Sequence, residues 1–336
     1  MEETADSTRP INNNDLTFSG SGKEFFGIWI VNFLLTICTF GIYSAWAKVR
    51  TTNYFYGNTK LKGSSFSYTA NPISILKGRI IAFVVLMAYT FLSQSSPQIG
   101  GLIILLIALI SPLVIVSSLK FRMYNTEYRG LRFGFIGSTG EAYKIFLGGY
   151  ILVVLSLGIL FPWWEKKRKE FYVRNIRFGT SQFTCNIEYG TFYKAAGIVF
   201  LFTILFIIFM SFFFPLGVNG GDIIGLLFFP LIGILGAYWY STITNHVISK
   251  SNLENISFRS EMKTGELAML WLGNIILMVI TLGLATPWVM VRNARYRISK
   301  TSVIGENLDT FIANNENKVS SMGDEIGEAL DIDLAI

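Results

Sequence analysis

N-T-K-L-K-G-S-S-F, residues Asn58–Phe66, is the stretch that decides how this chain is read. It returns as N-T-E-Y-R-G-L-R-F at Asn125–Phe133 and as N-I-R-F-G-T-S-Q-F at Asn175–Phe183. Weaker copies are K-S-N-L-E-N-I-S-F at Lys250–Phe258 and K-T-S-V-I-G-E-N-L at Lys300–Leu308. Such self-similarity describes architecture before it describes chemistry. An Asn at the head suits a helix end or a turn. Gly63 and Gly130 at the sixth position suit a tight turn or bulge. Phe66-Ser67-Tyr68 and Phe133-Gly134-Phe135 alternate as strands do. The nonapeptide therefore predicts a short β-hairpin. Open strand edges cannot lie in hydrocarbon, so the hairpins belong at a bilayer surface, where five copies can pair into a small sheet. The alternative is that each lines a portal.

Between the modules lie seven hydrophobic segments: Phe25–Ile42, Ile75–Leu92, Ile99–Leu119, Ala142–Phe161, Ala195–Phe214, Ile223–Tyr240 and Leu267–Ala285. About 20 apolar residues cross a bilayer, and several of these runs approach that length. Hydrophobic residues make up 51% of the 336 residues and charged residues 15%, against about 25% charged in soluble domains. The fold class predicted is an all-α polytopic membrane protein with internal repeats, carrying small repeated β modules at the membrane surface. Residues 1–22 read as a polar tail without the basic start of a signal peptide. Residues 23–300 read as the membrane domain, with repeat units of about 18–132, 133–257 and a partial 258–308. Residues 309–336 read as an acidic, flexible tail.

A second repeat covers segments 1, 4 and 7. Each begins near a glutamate, Glu24, Glu141 or Glu266, and has a glycine seventeen residues later, Gly41, Gly158 or Gly283. Each then reaches a tryptophan, Trp46, Trp163 or Trp288, followed four residues on by Arg50, Lys167 or Arg292. A glutamate in a first helical turn favours the positive end of the dipole; it is also the place for a ligand contact. Asn32 and Asn274 share a mid-segment position where the second copy has Gly149, and polar or small residues there favour helix contacts. The Gly-x-x-x-Pro-Trp stretch reads as a helix end, with the tryptophan in the headgroup region and the base reaching phosphate. Their expected partner is membrane lipid, anionic in headgroup; a protein partner cannot be named.

The chain carries a formal +6, concentrated at membrane borders, so nucleic acid is not the expected counter-charge. After Thr301 there are eight acids against Lys318. Two cysteines and one histidine, His246, supply no disulfide framework and no metal set. No cofactor and no catalytic constellation are expected, and the chain reads as non-enzymatic. The turns at Ser93–Gly101 and Pro215–Asp222 lack bases, whereas every other connection is basic. The positive-inside rule then places the modules in the cytoplasm and the two turns in the periplasm. Segments 1, 4 and 7 pose a problem. With all modules on one side they must re-enter; if each crosses, the halves form an inverted repeat.

The motifs T-F-G-I-Y-S-A-W-A-K-V-R, Y-F-Y-G-N-T-K-L, N-T-E-Y-R-G-L-R-F-G-F-I-G-S and S-L-G-I-L-F-P-W-W resemble the YjgN-like family of bacterial inner-membrane proteins. The resemblance runs from Phe18 to about Lys300 and implies a multi-pass inner-membrane protein without an assigned activity. Trp164-Glu165 departs from the small residue expected after the tryptophan. The leading functional expectation is a transporter-like passage at the repeat interface. The alternative is a lipid-binding or membrane-organising scaffold. A polar path linking Asn32, Asn274 and the glutamates favours the first; a sealed apolar core favours the second.

Overall fold

The computed structural model describes residues 13–213, 220–305 and 308–315. The chain enters on strand β1 (Asn13–Phe18) and rises through α1 (Gly22–Cys38). It turns and returns through α2 (Ser44–Gly57) to β2 (Thr59–Leu61). The same order follows with β3 (Ser64–Tyr68), α3 (Pro72–Ser95), α4 (Pro97–Tyr124) and β4 (Thr126–Tyr128). Next come β5 (Leu131–Phe135), α5 (Thr139–Ala142), a π-helical stretch (Tyr143–Gly148), α6 (Gly149–Leu155), α7 (Phe161–Arg174) and β6 (Ile176–Phe178). The fourth unit is β7 (Ser181–Cys185), α8 (Tyr189–Phe213), α9 (Gly220–Ser249) and β8 (Ser251–Leu253). The fifth is β9 (Ile256–Ser260), α10 (Thr264–Ile280), α11 (Thr286–Ser299) and β10 (Thr301–Gly305). Residues 308–315 add a final helical stretch.

Eight strands, β2 to β9, are the heads and tails of the first four nonapeptides; the fifth nonapeptide supplies only β10, and β1 lies outside all five copies. Each strand pairs antiparallel with its neighbours in sequence, and β1 with β10 completes a ten-stranded barrel. Closure leaves no open edge. Asn58, Asn125 and Asn175 each cap a helix and hand the chain to a strand. Leu61 faces Ser64 and Tyr128 faces Leu131 across two-residue turns. Both turn residues have positive φ, 46° and 79° at Lys62-Gly63 and 50° and 80° at Arg129-Gly130. That mirror-type turn matches the twist of the strands, and glycine suits its second position. Residues 13–18, read from the sequence as polar tail, are β1.

Register fills the barrel. Leu16 lies opposite Leu61, Phe66 opposite Tyr128, Phe133 opposite Phe178, Phe183 opposite Leu253 and Phe258 opposite Val303. All ten belong to or pack on one apolar core. The ring centroids of Phe66 and Tyr128, and of Phe133 and Phe178, are 4.7 Å apart, within the favourable range for aromatic pairs. Leu308 and Ile312 of the last helix are buried in the same core. Asp309 pairs with Lys62 (3.3 Å) and Arg129. The Asn315 Oδ1 accepts hydrogen bonds from the Thr180 hydroxyl at 2.9 Å and the Ser181 hydroxyl at 3.1 Å. The stretch read as the start of a flexible tail is thus docked as far as residue 315; residues 316–336 lie outside the described residues.

Every helical pair leaves the barrel and comes back to it. Ser19 N–H donates to the Asn58 carbonyl at 3.0 Å, Thr69 to Asn125 at 2.9 Å and Ile136 to Asn175 at 2.9 Å. Asn186 donates to Lys250 at 3.0 Å and Glu261 to Lys300 at 2.9 Å. These bonds clamp the base of all five helical hairpins. Neighbouring hairpins pack side by side: α2 on α3, α4 on α5, α7 on α8, α9 on α10, and α11 on α1.

Three described helical stretches are long and apolar enough to cross a membrane: Pro72–Gln94, Pro97–Tyr124 and Tyr189–Ser211. Part of the turn expected at Pro215–Asp222 lies outside the described residues. Segments 1, 4 and 7 do not end where the hydropathy puts them. The first helix stops at Cys38, the fourth segment at Leu155 and the seventh at Ile280. The glycine-containing stretch follows a helix end, as read, and the chain also reverses direction through it. Gly41, Gly158 and Gly283 have φ of 89°, 89° and 87°, a conformation glycine adopts without a Cβ clash. Pro162 and Pro287 then open the return helices, where the missing N–H costs nothing.

Candidate functional site

The structure places the three tryptophan–base pairs equivalently. Each tryptophan is the third residue of a 14-residue return helix, and each base the seventh. They do not converge. Trp46 stacks on Tyr43, and Arg50 donates to the Tyr43 hydroxyl at 3.0 Å. Trp288 packs against Gly22 and Phe26 of the first hairpin. Trp163 and Lys167 line a cleft of about 500 Å³ beside the third hairpin.

The glutamates separate in the same way. The side-chain hydroxyls of Ser21 and Ser138 accept from the backbone N–H of Glu24 and Glu141, both at 3.2 Å. This is helix N-capping. The Glu24 carboxylate accepts from Tyr54 at 3.1 Å, and Glu266 pairs with Lys300 at 2.8 Å and Lys263 at 3.3 Å. Glu141 alone lines the cleft. Asn32 and Asn274 are buried, and neither amide atom of Asn32 has a protein partner. Asn274 Nδ2 donates to Asn293 Oδ1 at 3.1 Å, and its own Oδ1 is unpartnered.

The third hairpin is built differently from the first and fifth, and the difference places Trp164 in the wall of the cleft. A Cβ on Gly149 would meet Trp164 Cδ1 at 2.4 Å. The indole therefore occupies the space that a side chain fills at Asn32 and Asn274. Gly149 N–H donates to Lys144, five residues back. This π-helical bond frees the Ile145 carbonyl, which accepts from the Trp164 indole at 2.8 Å. π-helical turns often mark functional sites. The glycine and the tryptophan, two departures read separately in the sequence, are one packing unit.

Lys144, Ile145, Glu170, Arg174 and Gln182 complete the wall with Trp163, Trp164 and Lys167. Along α7 the charges are mostly committed. Lys166 pairs with Glu170 at 2.7 Å, Arg168 with Glu165 at 2.8 Å and Lys169 with Glu165 at 3.4 Å. Arg168 also lies over the Trp164 ring, 4.6 Å from its centroid. Lys167 reaches Glu170 only at 3.7 Å. Lys144 has no ion-pair partner among the described residues. The arrangement is an open, aromatic-walled cleft in which Lys144, Lys167 and Arg174 stand beside the carboxylates Glu141 and Glu170. Lys144, Trp164 and Arg174 were not singled out as contacts from the sequence; the paired departure at Gly149 and Trp164 was the signal available.

A family model described as "Bacterial protein of unknown function (DUF898)" matches residues 13–329. The chain belongs to this family. The DUF898 match takes in the barrel, all five hairpins and the docked C-terminal helix. The inner membrane protein YjgN of Salmonella typhimurium is 23% identical over 93% of each chain. The inner membrane protein YjgN of Escherichia coli K12 is 29% identical over 44% of this chain and 38% of its own length. No solved structure matches. With such relatives and three helices of spanning length, the DUF898 chain described here is an inner-membrane protein.

Proposed function

We propose that this protein is a non-enzymatic inner-membrane scaffold that holds an anionic lipid by its phosphate in the cleft of the third hairpin. The observation that carries the reading is Lys144, without an ion-pair partner among the described residues, and Lys167, 3.7 Å from Glu170, beside the Trp163 and Trp164 walls. A cation near an anionic leaflet contributes about 1 kcal/mol, and the aromatic rings suit the headgroup region. The five strand–helix–turn–helix–strand units are read as copies of one ancestral unit, with the barrel on the cytoplasmic side. The identical base clamps and the basic connections support that orientation and origin.

A permease-like passage has less in its favour. The barrel is filled with apolar side chains, the helix over residues 308–315 docks Leu308 and Ile312 on that core beside the hairpin turns, and Asn32, Asn274 and the glutamates are held in separate hairpins. The test is lipid retention. The full chain, purified in mild detergent and supplied with phosphatidylglycerol, is compared by native mass spectrometry with the Lys144→Gln/Lys167→Gln variant. At least a fivefold loss of bound lipid in the variant is expected; retention equal to the parent overturns the reading.

A further inference from the structure

The three short hairpins share their base with the two long ones but not their reach. At 1.5 Å per residue, the 17 residues of α1 and of α10 extend about 25 Å. The 14 residues of α2, α7 and α11 extend about 21 Å. The 24 residues of α3 and 28 of α4 extend about 36 and 42 Å. All start from the same clamped ring. When the long hairpins cross about 30 Å of hydrocarbon, the short ones end roughly 10 Å or more below the tips of α3 and α4, and so about 5–10 Å inside the far side.

A chain that reverses inside hydrocarbon must satisfy its own polar backbone. These reversals do so at six consecutive N–H groups. In the first, Thr39, Phe40, Gly41, Ile42 and Ser44 donate to carbonyls of Leu35, Ile37, Thr36, Thr39 and Gly41, and Tyr43 donates to the Thr39 hydroxyl. The third hairpin repeats this from Ser156 to Phe161, with the Ser156 hydroxyl accepting from Leu160. The fifth repeats it from Thr281 to Thr286, with the Thr281 hydroxyl accepting from Ala285. The hydroxyls donate in turn to carbonyls of Leu35, Val153 and Leu277.

The side chains agree. Phe40, Leu157 and Leu282 stand at the tips, 99%, 93% and 92% exposed. No Lys, Arg, Asp or Glu lies between Glu24 and Lys48, between Lys144 and Glu165, or between Glu266 and Arg292. A water-facing tip has no need to bond every N–H within the chain, and exposing three bulky apolar residues to water is unfavourable.

We propose that the first, third and fifth hairpins are re-entrant wedges that stop short of the far side, whose tips contact lipid acyl chains inside the bilayer, entering and leaving on the barrel side. This rests on membrane insertion, not on the headgroup cleft, so either idea survives failure of the other. The test uses the full chain with Cys38→Ser and Cys185→Ser, reconstituted in phosphatidylethanolamine–phosphatidylglycerol vesicles. Single cysteines at Phe40, Leu157 and Leu282 carry nitroxides, with Lys62 in a barrel turn and Ser96 between α3 and α4 as references. Tip nitroxides should collide with oxygen at least fivefold more readily, relative to an aqueous nickel chelate, than those at Lys62. The tip cysteines should also resist a membrane-impermeant maleimide from either side. Nickel accessibility equal to Lys62 places the tips in water and overturns the proposal. Labelling from the side that labels Ser96 shows full crossing and also overturns it. A tip variant that elutes as aggregate is replaced by the exposed neighbour Ile42, Ile159 or Leu284.

Discussion

The third and fifth hairpins are alike at the tip and unlike in the middle. Leu157-Gly158 and Leu282-Gly283 have φ angles of 52° and 89° against 50° and 87°, and the hydrogen bonds around them match one for one. Eight residues past the glutamate they part. The third has Gly149 under Trp164 with a π-helical turn; the fifth has Asn274 hydrogen-bonded to Asn293 in regular helix. The tip is architecture, constrained by the need to reverse a chain with no donor left over. The middle is where the third hairpin replaces a side chain with the Trp164 indole and the first and fifth keep an asparagine.

The largest expected effect strikes the middle of the third hairpin. Gly149→Ala forces a Cβ into the indole of Trp164 and should cost about 2–3 kcal/mol, read as a lowered thermal midpoint in detergent. Gly149→Asn with Trp164→Val rebuilds the pattern of the other hairpins and should recover most of that loss. No recovery would show that the contrast does not reside in this pair.

Next come the tips. Gly158→Val and Gly283→Val each place a branched side chain at strongly positive φ, at a cost of about 1–2 kcal/mol. Because the two turns are the same, the two losses should agree; a clear difference in midpoint would break the claim of equivalence.

A smaller effect is expected in the first hairpin. Asn32→Leu removes two buried amide atoms without protein partners and should stabilise the chain by about 1 kcal/mol. A loss of stability instead would reveal a bound water or ligand on that amide.

The smallest effect sharpens a contrast between the hairpins and the barrel. The Arg129 hydrogen bond and then that of Lys62 hold the Asp309 carboxyl below its ordinary range. Its contribution to docking the last helix is therefore present above the unfolded carboxylate pKa, about 3.9. It is lost as pH falls through the lower folded value. Proteolysis after Leu308 should accelerate only in that acid window, and Asp309→Asn should be easier to cleave at neutral pH by a modest factor, since the pair is solvent-exposed.

Local chemistry was readable where it was local. The hairpin turns at Lys62-Gly63 and Arg129-Gly130, the helix-ending asparagines and the apolar character of the segments all follow from neighbours within a few residues. The role of Gly41, Gly158 and Gly283 was half readable. Their break in the helix was plain; its direction was not, because a glycine permits a reversal and a kink alike. Residues 13–18 were missed as a strand, since N-N-D-L-T-F is polar and its partners are β2 and β10. The cleft was missed because Gly149 and Trp164 lie fifteen positions apart across a turn.

The sequence by itself determined that this is a membrane chain, that the first four nonapeptides would form short hairpins, and which residues of each are apolar; the fifth copy supplies only the strand β10, between β9 and β1. Only the tertiary structure decided that the hairpins close into one ring. That closure requires β1 to find β10 across the whole length of the chain, and strand periodicity specifies which face is apolar without specifying which edge it meets. Once the ring is closed, both ends of every helical pair are tied to one place. Segments 1, 4 and 7 must then turn back, a consequence of chain connectivity that no single segment's hydropathy contains.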